Sequence, residues 1–216
     1  MQRPLSLAFG MTGLTFALVA NGCALLGLYD PPSGPGAPDP VKTVAVAGSL
    51  CGAISLLFHA TYLVWGYPLG TDWLSIRIQM LFSSVAGLYG FQLLGLTIIQ
   101  LNGYDLKVFG DICLFDVLLG FLQMVIFARY AREAGLSAAH TFWVQYTLAA
   151  WVALSFGVWG TTHGQIPAKV TGVIAFAGVV GTLYFLFYLG GLVDPPGKPK
   201  SKPSPAIELE PQTVEN

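Results

Sequence analysis

Long stretches without a charged residue divide the chain. No Asp, Glu, Lys or Arg lies between Arg3 and Asp30, Lys42 and Asp72, Arg77 and Asp105, or Lys169 and Asp194. Each gap exceeds the ~20 apolar residues that a helix needs to cross ~30 Å of hydrocarbon. A fifth gap, from Glu133 to Lys169, opens with polar residues and His140, so a span fits best from about Thr141 to Gly160. The least pure span, Val108 to Ala128, carries Asp111 and Asp116, which a membrane helix tolerates only where they face protein or water. The pattern predicts an all-α integral membrane protein. Its six spans cover about 5–28, 43–66, 76–101, 108–128, 141–160 and 170–193, forming one transmembrane domain over residues 1–193.

The connectors agree with this division. Residues 30–40 read DPPSGPGAPDP, a loop that suits neither helix nor strand, and YPLGTDW, NGYDLK, RYAREAGLS and THGQIPAK supply the other turns. Residues 194–216 are Pro-rich and charged and are expected to be disordered. Arg3 and the apolar run to Ala20-Asn21-Gly22-Cys23 faintly resemble a lipoprotein signal, but the run continues through ALLGLY, as a retained span does.

Composition sharpens the picture. Charged residues make up 10% of the chain, under half the usual share of a soluble domain, which excludes a soluble reading. Ten Lys and Arg against eleven Asp and Glu leave no basic field for nucleic acid. Cys23, Cys51 and Cys113 lie in apolar stretches without CxxC spacing and read as packing residues. His59, His140 and His163 sit singly on three segments, and no catalytic or nucleotide-binding motif occurs in a usable context. No enzyme activity, cofactor or metal is therefore expected. Lys and Arg are commoner on the side of both termini, which the positive-inside rule places in the cytoplasm.

Several intramembrane residues stand out. Gly48 and Gly52 form a GxxxG step, and glycines recur in spans three and six, as in helices that approach closely. Trp151 lies mid-span, where an interfacial anchor has no place, so it packs or lines a pathway. If spans three and four fold about Tyr104, Gln92 and Asp116 share one depth and Thr97 and Asp111 another; Gln123 follows Asp116 on the same helical face. No Lys or Arg reaches the level of Asp116, so a protonated or water-exposed carboxyl bonded to Gln92 or Gln123 is expected. This strip is either an interhelical clamp or a solute or proton path; Gln92, Asp111, Asp116, Gln123 and His59 are the polar intramembrane candidates, among which pH sensing would reside.

The chain resembles the AmiS/UreI family of urea and short-chain amide channels over nearly its whole length before the tail. The similarity rests on Asn21-Gly22, Asp30-Pro31, Lys42 to Val46 and Gly52 to Ser55. It continues in Gly90-Phe91, Leu94, Ile98, Gly103, Asp105 and Leu114-Phe115, then in Lys169-Val170-Thr171 and Thr182. The resemblance implies a six-helix bundle around a narrow pore, protomers in a ring-shaped homo-hexamer in the cell membrane, and passive flux of urea or acetamide-like solutes, with gating by pH a further possibility. Carried over position by position, its pore-lining residues are Met11, Leu14, Leu18, Asn21, Phe91 and Trp151. The chain departs from the family pattern at Leu93, Gly95 and Gly178, at Asp111 and Asp116, and in its Pro/Gly loop. Family membership also places the termini outside the cytoplasm, opposite to the charge bias. The alternatives are a proton- or ion-coupled carrier of a short-chain acid or ammonium, and a nonconducting membrane scaffold.

Overall fold

The computed structural model describes residues 4–31, 34 and 37–189. The tail expected to be disordered, 194–216, lies outside the described residues, as do residues 190–193 of the last predicted span. Six helices are long and apolar enough to cross a membrane. They are α1 (Pro4–Leu26), α2 (Pro40–Gly66), α3 (Trp73–Asn102), α4 (Leu106–Glu133), α5 (Ala138–Thr162) and α6 (Ala168–Leu189), with no strand among the described residues.

Local chemistry sets the ends. Helix starts leave backbone N–H groups unpaired, and short polar side chains satisfy them. Asp39 accepts from the Val41 amide with Pro40 as the first helical residue, Asp72 from Ser75, Asp105 from Lys107, and Ser137 from His140. These caps start α3 and α5 about three residues before the apolar runs do. At the other end of α3, Gly103 takes φ 69°, a left-handed conformation that costs glycine little, and its N–H bonds to Ile99 O. Helix α4 runs beyond the predicted 128 through Arg129, Arg132 and Glu133, because charge ends an apolar window without ending a helix. One wide π-helical turn, Ala45–Leu50, interrupts α2 and carries the fully buried Ser49.

The helices form a closed ring. Each packs on its neighbours in sequence, and α6 returns to α1, with extensive contact only between ring neighbours; the α3–α4 seam is the sparsest. Small residues bring backbones together where lipid leaves little hydrophobic drive for association. Along α1–α2, a side chain on Gly13 would strike Ser55, one on Gly48 would meet Ala20 Cβ at 2.7 Å, and one on Gly52 would meet Ala17 Cβ at 2.6 Å. Between α1 and α6, Gly22 lies against Ala175 and Phe176, and Gly172 against Leu26. Large apolar side chains such as Phe16, Phe58, Phe115, Leu118, Val125 and Val173 point outward around the ring, the inverse of a water-soluble bundle.

Candidate functional site: two cavities that meet at one tryptophan

On α1, Met11, Leu14, Leu18 and Asn21 follow spacings of three and four, which places them on one face. That face looks into the ring, where two cavities lie in line. The smaller, about 170 Å³, is walled by Met11, His59, Phe82, Phe127, His140 and Phe185 among others. The larger, about 320 Å³, is walled by Leu14, Leu18, Asn21, Gln92, Gln100 and Ser155 among others. Both far exceed the roughly 10–15 Å³ that one water needs. Every one of the six helices contributes to both walls, so the cavities follow the axis of the ring.

Trp151 belongs to both walls. It is 6% exposed, and its ring meets Tyr89 of α3 edge-on, with centroids 5.1 Å apart. Leu18 and Gly178 complete this level: a Cβ built on Gly178 would lie 3.5 Å from Leu18 Cδ1 and 3.6 Å from Trp151 Cδ1. On either side the walls differ in polarity. The smaller cavity is mainly aromatic and aliphatic; its His140 Nδ1 lies 2.9 Å from the Tyr184 hydroxyl, and its His59 packs over Gly10. The larger cavity reaches an amide cluster at its far end. There Asn21 Nδ2 donates to Ser49 Oγ at 3.0 Å, and Gln100 Nε2 donates to Asn21 Oδ1 at 3.4 Å. The π-helical turn of α2 thus supplies the hydroxyl that joins α1 to α3.

Of the residues singled out in the sequence, Met11, Leu14, Leu18, Asn21, Trp151, Gln92 and His59 line these cavities. Phe91 does not: it is 67% exposed on the outer face of α3, because the inward positions of that helix are Val85, Tyr89, Gln92, Leu96 and Gln100. Asp111 also faces outward near the start of α4, its carboxylate 3.4 Å from His163 Nε2, whereas Thr97 bonds to Leu93 O on its own helix. Asp116 is 1% exposed, yet no hydrogen bond joins it to Gln92 or Gln123. Gln92 Nε2, Asp116 Oδ2, Gln123 Oε1 and Trp151 Nε1 are all buried without a partner. Asp116 instead stands within electrostatic reach of the Tyr89 hydroxyl and the Cys113 thiol. Tyr89 and Gln100 went unnoticed in the sequence, although both continue the helical stripe of Gln92 at steps of three and eight.

The fold and its outward apolar faces define a multi-pass membrane protein of six helices. No family model, curated protein or solved structure matches the chain. Among the described residues, no group of three or more His, Cys, Asp or Glu could hold a metal ion.

Proposed function

We propose that the chain is a passive channel for urea or short-chain amides, of the AmiS/UreI type, and that the axis of the helix ring is its conduction path. The supporting observation is that all six helices wall two aligned cavities separated by a single aromatic level at Trp151. A small neutral amide crosses a bare bilayer slowly, because burying a polar group without a partner costs about 2–7 kcal/mol. In the proposed path, Asn21 and Gln100 replace lost hydrogen bonds in the larger cavity, Leu14 and Leu18 strip the remaining water, and the Trp151 face receives the planar solute. Phe91 takes no part within one protomer. Its outward position leaves it free to contact lipid or a neighbouring copy in the ring-shaped homo-hexamer that belongs to the same proposal.

Liposomes containing the purified protein, subjected to a urea or acetamide gradient and followed by light scattering, test the reading. Uptake well above that of protein-free vesicles, unsaturated over a wide concentration range and insensitive to a protonophore, is expected. Uptake that requires a proton gradient replaces the channel with a coupled carrier, and absence of uptake replaces it with a nonconducting scaffold.

A further inference from the structure

On the outside of the ring, two neighbouring helices present apolar faces that turn cationic at the same end. On α3, Arg77, Ser84, Phe91 and Ile98 recur at steps of seven, which keeps them on one side, and Phe91 and Ile98 are exposed there. On α4, Leu118, Leu122, Val125, Arg129 and Arg132 follow steps of four and three and share one outward face. The start of α3 lies beside the end of α4, so the three arginines gather at one membrane surface.

Arg77 bridges the two helices. Its guanidinium carbon lies 4.3 Å from the ring centroid of Trp73 and 5.8 Å from that of Tyr130 on α4. Contacts with aromatic faces hold a guanidinium in place and leave the N–H groups on its edge to donate elsewhere. Among the described residues no carboxylate pairs with Arg77, the ion pairs being Arg129 with Glu133 and Asp111 with His163. Arg132 donates to Ala128 O on its own helix. The Arg129–Glu133 pair is an exposed contact within one helix, weak enough for another anion to compete.

Depth identifies what lies opposite. Trp65 and Trp73, both highly exposed at this end, mark the interface between hydrocarbon and headgroups. Helical side chains lean toward the start of their helix, so Arg77, one turn inside Trp73, returns its guanidinium to the level of that ring. The opposite end of the bundle has no such excess of cations: Lys42, Lys107 and Lys169 are outnumbered there by Asp30, Asp39, Asp105 and Asp111. Between the two arginine-bearing helices runs the sparsest seam of the ring, where a hydrocarbon chain covers apolar surface that the helices leave open to each other's flank.

We propose that the outer surface of α3 and α4 is a binding site for an anionic phospholipid. The headgroup phosphate accepts from Arg77 and Arg129, Arg132 adds positive charge beside it, and an acyl chain lies along the α3–α4 seam. A planar guanidinium suits a phosphate because it donates two parallel N–H bonds. A zwitterionic lipid is disfavoured, since its ammonium group meets the same arginines. The site requires the membrane placement of the helices and is independent of what the ring conducts.

The purified protein in neutral detergent is mixed with phosphatidylglycerol, phosphatidylcholine or inorganic phosphate. Bound lipid is counted by native mass spectrometry, with melting temperature and oligomer mass followed in parallel. The parent is expected to retain phosphatidylglycerol in preference to phosphatidylcholine and to melt several degrees higher with it, while inorganic phosphate does neither. Arg77→Gln lowers the phosphatidylglycerol-to-phosphatidylcholine ratio about fivefold, the worth of one cation near a membrane surface. Arg77→Lys keeps most of the preference, and Lys107→Gln, at the other end, keeps all of it. An Arg77→Gln/Arg129→Gln/Arg132→Gln protein with the parent's ratio overturns the site; where that variant does not fold, an unchanged ratio in Arg77→Gln does so. Stabilisation by inorganic phosphate alone replaces the lipid with a free anion and overturns the proposal. A lower oligomer mass at an unchanged lipid ratio gives the face to a second copy of the chain, and also overturns it.

Discussion

The indole of Trp151 and the phenol of Tyr89 meet at 65°, one ring edge against the other face, at the level where the two cavities come together. Such a pair contributes about 0.5–1.5 kcal/mol beyond the area it buries. Tyr89→Leu is therefore expected to lower thermal stability in detergent by a few degrees while raising urea flux, because the level between the two cavities loses its bracing ring. Flux that falls in proportion to folded protein would assign Tyr89 to packing alone.

Leu18 shares that level through its contact distance to Gly178. A Leu18→Trp side chain would fill the remaining space between α1 and α6. Flux should drop by an order of magnitude or more while the protein still elutes as the parent does. Unaltered permeability in an intact Leu18→Trp protein would remove α1 from the constriction.

Packing at the α1–α2 seam predicts a different kind of loss. Gly52 Cα lies so close to Ala17 that even a methyl has nowhere to go. Overpacking a tight site costs about 1–3 kcal/mol per modest enlargement. Gly52→Leu should therefore abolish the folded protein in a detergent melting assay, whereas Gly95→Leu, with open space around it, leaves the melting curve near that of the parent.

The spans were legible because charge is so expensive in hydrocarbon that its absence over a long run is itself a signal, as between Lys42 and Asp72. Helix starts at Asp72, Asp105 and Ser137 could likewise be read from capping side chains. The inward face was harder. In a water-soluble helix the polar side marks the outside, but lipid is as apolar as the protein interior, so Phe91 pointing outward and Leu18 pointing inward have the same chemistry. Asp111 is a related case. Its partner His163 caps the end of α5, close to the membrane edge, where a carboxylate need not be enclosed.

Among the described residues, Asp116 is a buried carboxyl whose Oδ2 has no hydrogen-bond partner. Asp116→Asn preserves shape while removing titration, and is expected to keep the assembled protein intact. Because Asp116 sits within electrostatic reach of Tyr89 and Cys113 on the cavity wall, the substitution should flatten any dependence of urea flux on pH. Profiles that superimpose on the parent's would make Asp116 a structural residue.

At the start of α3, the Ser75 side chain and backbone amide both bond to Asp72 and hold its carboxyl below the usual carboxylate value. A lowered folded value means that the deprotonated cap favours the native helix end. Its contribution is complete above the unfolded value near 4 and is lost as pH falls through the lower folded one. Protection of the Ser75 amide, measured relative to its intrinsic exchange rate, should fall on acidification below about pH 4, and in Asp72→Ala it should be low at every pH. Protection unchanged by the substitution would mean that the α2–α3 connector holds this end without the cap.

An extensive seam in the ring joins its first helix to its last. During synthesis, α1 must therefore wait with one flank in lipid until α6 has been made, and no intermediate with fewer helices encloses the axis. Chains stopped before Lys169 would keep α1 to α5 as an open crescent whose exposed Gly22 and Leu26 surfaces have no native cover. For this protein, reaching the final span is the step that turns a row of membrane helices into an enclosure, so quality control that samples α1 would report on completion of the whole chain.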